Sequence, residues 1–101
     1  MEISINNLLK LRDANIIDIR SSAKYSDNHI PFSINVPYDR LMSNPSKYLN
    51  KYDTYYIYCQ KGITSKSCVN VLRAMGYNVF SVIGGYEEFI ISIDNVYKSS
   101  L

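Results

Sequence analysis

Four short runs rich in β-branched and aromatic residues, separated by segments of helical spacing, set the strongest limit on this chain's fold. The runs are Asn15 to Ile19 (NIIDI), Ser33 to Pro37 (SINVP), Thr54 to Tyr58 (TYYIY) and Asn78 to Ile83 (NVFSVI). Each is too short for a helix and reads as a strand. Between them, Ser4 caps a first helix with Ile5, Leu8, Leu9 and Arg12 at helical spacing. SSAKYSDN gives a short capped turn of helix that His29-Ile30-Pro31 ends, and YDRLMSNPSKYLNKY gives one or two short helices broken before Pro45. Ser65 to Met75 reads as a longer helix stopped by Gly76, and Tyr86 opens a closing helix after a Gly84-Gly85 turn. This alternation predicts an α/β domain with a mainly parallel central sheet. Ligands of such sheets gather beyond the carboxyl ends of the strands. Cys59 follows the third run at one of those ends.

The chain has 101 residues with no repeat or low-complexity linker, so a single domain over 1–101 is expected. Hydrophobic residues make up 47%, enough for a core, while the apolar stretches are interrupted too soon for a membrane span. Met1 leads directly to Glu2, with no basic start and apolar stretch of a signal peptide. With two cysteines only, this predicts a cytoplasmic protein whose thiols are free rather than joined as Cys59–Cys68. The net charge of +2 is too small to argue for nucleic acid. One histidine and two cysteines do not supply the four ligands of a structural zinc site.

The segment Cys59-Gln60-Lys61-Gly62-Ile63-Thr64-Ser65 has the parts of an anion cradle. Gly62 permits backbone angles that let successive N–H groups point inward, and the following helix adds its own unpaired N–H groups and positive dipole end. Lys61 adds a full charge, and Thr64 and Ser65 add hydroxyl donors. A thiol that ordinarily titrates near ~8.5 becomes substantially ionised at neutral pH in such a setting. The plain alternative is a small hydrophobe at a strand end. Two classes of enzyme use a thiolate placed in this way. Cysteine phosphatases need an arginine six residues after the cysteine to grip a phosphoryl dianion, whereas this chain has Ser65 there and its next arginine is Arg73. The loop better suits a smaller, softer cargo, such as one sulfane sulfur carried on Cys59 as a persulfide.

Three stretches in order resemble the rhodanese (thiosulfate sulfurtransferase-like) family. IIDIRSSAKYSDNHIPFSINVP, Ile16 to Pro37, resembles its first signature, with Asp-x-Arg, then His-Ile-Pro and an Ile-Asn-Val-Pro strand. CQKGITS resembles its active-site loop, and LRAMGYNVFSVIGGYEEFI, Leu72 to Ile90, its closing signature; the likeness runs from about residue 4 to 91. It implies a three-layer rhodanese-like fold with helices on both faces of the sheet, and Cys59 as the sulfur-accepting nucleophile. Lys61 and Lys24, six residues after Asp18, match donor-binding cations of thiosulfate-using members. Gln60, Gly62, Ile63, Thr64 and Ser65 complete the substrate-binding loop, whose Lys-Gly-Ile-Thr run is similar to that of thiosulfate:cyanide sulfurtransferases. Asp18 and Arg20 match the Asp-x-Arg pair and are expected to brace neighbouring loops. Asn28 and Phe32 stand where the family usually has glycines, and Phe89 where a tryptophan is common.

The expected activity is transfer of a sulfane sulfur from thiosulfate or a persulfide to a thiol or cyanide, with no cofactor. The expected partners are a small anionic donor, its acceptor and a possible sulfur-accepting protein, with neither nucleic acid nor membrane. A persulfide carrier or protein-binding module with little turnover is the alternative. His29 is expected to hold structure rather than act as a base, and Cys68 to pack in the core with Val71, Leu72 and Met75. Glu87 and Glu88 complement the dipole of the last helix. Lys47, Lys51 and Lys98 read as solvated charge.

Overall fold

The computed structural model describes residues 1–99, with side chains through Val96, so the side chain of Lys98 lies outside the described part. Five strands form one sheet: β1 (Glu2–Ile3), β2 (Asn15–Asp18), β3 (Ile34–Asn35), β4 (Thr54–Tyr58) and β5 (Asn78–Val82). Their order is β1-β5-β4-β2-β3 and every pairing is parallel. The helices are α1 (Ile5–Leu9), α2 (Ser22–Asp27), α3 (Tyr38–Ser43), α4 (Pro45–Tyr48), α5 (Ile63–Ala74) and α6 (Gly85–Ser99).

The most apolar run, TYYIY, occupies the middle of the sheet, because a central parallel strand must bury both faces. Tyr55, Ile57 and Cys59 enter one apolar cluster with Leu41, Leu49, Cys68, Val69 and Leu72, contributed by α3 to α5 and the residue after α4. Tyr56 and Tyr58 enter the other, with Ile5 and Leu8 of α1 and Tyr86 and Phe89 of α6. The strand's period of two thus sends Cys59 to the α5 face. Ser4 caps α1 as expected, its Oγ accepting from the Asn7 N–H at 3.1 Å.

Four details differ from the sequence reading. β1 was not expected; two residues carry no periodicity, and the strand exists only by pairing with β5. α1 stops at Leu9, leaving Leu9, Leu11 and Arg12 exposed. α5 starts at Ile63 rather than Ser65, because Gly62 at φ +86° turns the chain directly into the helix. The buried stripe of α5 is Ser65, Cys68, Val69 and Leu72, while Val71 and Met75, expected in the core, face outward. Phe32 adopts φ +68°, a left-handed backbone that an aromatic residue rarely takes, at a position where a glycine was expected.

Candidate active site

The loop after β4 is built around the Cys59 sulfur. The Gly62 N–H donates to Sγ at 3.1 Å and the Ser65 N–H, in the first turn of α5, at 3.3 Å. Ser65 Oγ lies 3.4 Å from the same sulfur. Two glycine contacts force this closeness. A Cβ on Gly62 would stand 2.7 Å from the Gly84 nitrogen, and one on Gly85, at φ +61°, would collide with the Cys59 carbonyl oxygen. The first turn of α6 occupies the loop's carbonyls: the Tyr86 N–H donates to Cys59 O at 2.9 Å and the Glu87 N–H to Gln60 O at 3.0 Å. Helix α5 thus faces the sulfur and helix α6 the peptide oxygens, each through otherwise unpaired N–H groups.

Cys59 is buried, at 7% exposure, and burial by itself pushes its pKa up. The Ser65 hydroxyl and the N–H groups of Ser65, Gly62 and Lys61 outweigh that cost and hold the thiol below its ordinary value. Cys68 has no such donors. Burial, and then repulsion from charge on Cys59, push it up to about 12. Its Sγ contacts Met42 Sδ at 3.4 Å, and both cysteines are free thiols.

An open pocket of ≈ 350 Å³ lies over the sulfur, lined by Lys24, Cys59, Gln60, Lys61, Ile63 and Thr64. Lys24, from α2, and Lys61 thus reach the same cavity from separate parts of the chain, both exposed. Neither joins an ion pair among the described residues. Ser65 and Gly62 do not line the cavity; Ser65 is wholly buried beneath the sulfur and acts on it from below.

Asp18 and Arg20 stand behind the loop. The Asp18 carboxylate accepts from the Arg20 N–H at 2.8 Å, from Nε at 3.0 Å and from Nη2 at 2.8 Å. Arg20 Nη1 reaches Gln60 Oε1 at 3.2 Å and Nη2 reaches Asn28 O at 2.6 Å. The guanidinium also lies 4.1 Å from the Tyr86 ring centroid. One buried pair therefore ties the cysteine loop to the segment before His29 and to α6. His29 stays outside the pocket, stacked on Tyr25 with Nδ1 2.8 Å from Tyr25 O. Among the described residues, no helix is long and apolar enough to cross a membrane.

Sequence reasoning missed Ser81, whose Oγ lies 2.8 Å from Ser65 Oγ within the core. Its signal was available: in NVFSVI, Ser81 has the same inward phase as Val79. The sequence also showed Gly84-Gly85 only as a turn, not as the surface on which the cysteine loop rests.

Fold and site together define a class: parallel α/β domains that hold a thiol among backbone amides at the carboxyl edge of the sheet. Residues 4–92 match the profile of the Rhodanese-like domain, and the chain belongs to that family. It is 33% identical over 83 residues to "Thiosulfate sulfurtransferase GlpE" of Coxiella burnetii, covering 81% of this chain and 77% of the relative. It is 32% identical over 93 residues to "Adenylyltransferase and sulfurtransferase uba4" of Ogataea parapolymorpha, covering 91% of this chain but 24% of that protein's length. Among solved structures, the rhodanese-related protein of Thermoplasma volcanium superposes with a TM-score of 0.82 at 26% identity, covering 90% of this chain and 91% of the other.

Proposed function

We propose that this protein is a sulfurtransferase working by double displacement through a Cys59 persulfide, within a reducing cytoplasm. The observation that carries this reading is the Cys59 sulfur facing two N–H donors and a hydroxyl beneath a pocket bordered by two lysines. The Cys59 thiolate attacks the outer sulfur of thiosulfate; the S–S bond breaks and sulfite leaves with its electron pair. The persulfide so formed keeps its negative charge in the amide cradle. An acceptor thiolate or cyanide then attacks the outer sulfur, and the Cys59 thiolate returns as leaving group. Lys24 and Lys61 draw in the anionic donor, while Gln60, Ile63 and Thr64 shape its path.

Mixing the protein with thiosulfate should add about 32 Da, one sulfur atom. Cys59→Ser should add nothing, and equal gain in both proteins refutes the mechanism. Replacing Lys24 and Lys61 together by alanine should slow loading by thiosulfate on the order of tenfold, an effect that fades as salt rises. Thiosulfate fits the two cations and the name of the Coxiella relative, whereas the Ogataea relative, of which this chain spans a quarter, is named a sulfurtransferase without a stated donor. Loading without steady-state turnover on cyanide would identify the persulfide-carrier form of the same chemistry.

A further inference from the structure

We infer that Ser81 is a positioning residue for Cys59: its hydroxyl donates to Ser65 Oγ and thereby strengthens the hydrogen bond that the Ser65 hydroxyl donates to the cysteine sulfur. The inference rests on Cys59 as the nucleophile but concerns a residue that touches neither donor nor acceptor. Ser81 lies on β5, which pairs directly with β4, and has no exposure. A serine in the inward phase of this strand is a polar intrusion into an apolar cluster, and such a group needs a partner.

Among the described residues, Ser65 Oγ at 2.8 Å is the single partner of Ser81 Oγ. Ser65 Oγ has one further partner, Cys59 Sγ at 3.4 Å. Each hydroxyl carries one proton and accepts through its lone pairs, so the direction of the chain follows by counting. If the Ser65 proton pointed to Ser81, the Ser81 proton would be buried without an acceptor, a costly arrangement. The opposite direction, Ser81 to Ser65 to sulfur, gives every proton an acceptor and ends on the atom that carries charge in the reaction. A protonated Cys59 that donates to Ser65 leaves one hydroxyl proton, that of Ser65 or of Ser81, without an acceptor. The two hydroxyls are thus satisfied together when sulfur bears the negative charge, and bonds in series reinforce one another.

The test is the pH dependence of Cys59 alkylation by iodoacetamide, located by peptide mass, in four proteins: wild type, Ser65→Ala, Ser81→Ala and the double variant. Ser81→Ala should raise the midpoint by roughly half a pH unit, because Ser65 loses the donor that polarises its hydroxyl towards the sulfur. Ser65→Ala should raise it further, and adding Ser81→Ala to Ser65→Ala should move nothing more. Ser81→Thr, which keeps the hydroxyl, should hold the wild-type midpoint. A Ser81→Ala midpoint equal to wild type overturns the inference. So does an equal shift in both backgrounds, the mark of altered packing. Should the alanine variant fail to fold, Ser81→Val set against Ser81→Thr, which differ only in a methyl for the hydroxyl, carries the same comparison. A wild-type midpoint at that of a free thiol overturns the nucleophile reading instead, and the difference between wild type and Ser81→Ala still decides the role of Ser81.

Discussion

Cys59 and Cys68 are nine residues apart, belong to one apolar cluster and are both withdrawn from solvent, yet their thiols are driven in opposite directions. Cys68 shows what burial does where no donor offsets it: burial, with repulsion from charge on Cys59 added, pushes it up to about 12, and it behaves as a small hydrophobe beside Met42. Cys59 meets the same desolvation and overcomes it, because a left-handed glycine and the first turn of α5 place donors on its sulfur. Burial depth therefore does not decide which cysteine holds negative charge more easily. The direction of nearby N–H groups does, and that direction is fixed by how closely the Gly84-Gly85 turn lets the loop approach.

The severest way to break the contrast is Gly85→Ala. Its Cβ would strike the Cys59 carbonyl oxygen and stand 2.8 Å from the Gly62 nitrogen, on a backbone at φ +61°. A loss of about 3 kcal/mol in unfolding free energy is expected from strain plus overpacking. The Cys59 alkylation midpoint should move up towards that of Cys68. Denaturant unfolding and alkylation against pH read both effects, and an unchanged midpoint would detach the cradle from the glycine turn.

Ser65→Ala acts on the sulfur more directly. It removes one hydrogen bond to a charged group, worth about 2 kcal/mol, so the Cys59 midpoint should rise by about one and a half pH units. Cys68 should titrate as before, since Ser65 touches only Cys59 and Ser81 among the described residues. Cys68→Ala sharpens the contrast from the other side. It should cost about 1 kcal/mol of stability for the lost packing and leave thiosulfate loading of Cys59 intact. A Cys59 persulfide that outlives the wild-type one in this variant would make Cys68 a participant.

The smallest effect lies in stability against pH. Cys59 has a folded pKa below its unfolded one, so its contribution is fully present above the unfolded pKa and is lost as pH falls through the folded value. Cys68 has the reverse order: folding favours its neutral thiol, and stability is lost as pH rises from the unfolded pKa towards about 12. Unfolding free energies compared across pH should thus show Cys59→Ser flattening the neutral-side slope and Cys68→Ala the alkaline one.

Most of this architecture was legible in the sequence because the signals are local. TYYIY reads as a strand from its own residues, and Gly62 before a helical segment reads as a cradle for Cys59. The likeness to rhodanese signatures singled out Lys24, which lines the same cavity as Lys61 although no spacing rule brings α2 to the cysteine loop. What escaped depends on partners distant in the chain. β1 needs β5 to exist, and which side of α5 is buried, leaving Val71 and Met75 exposed, is set by how the helix lies against the sheet. Ser81 gains meaning only when β5 lies beside β4 and Ser65 turns inward above it.

The central claim, that loop amides make charge comfortable on one buried sulfur and not on its neighbour, is tested most directly by thiolate absorbance across pH in the intact protein. One thiolate should appear well below the ordinary thiol range and vanish in Cys59→Ser, while the second should form only in strong alkali. Two thiols ionising together at the ordinary value would contradict the account.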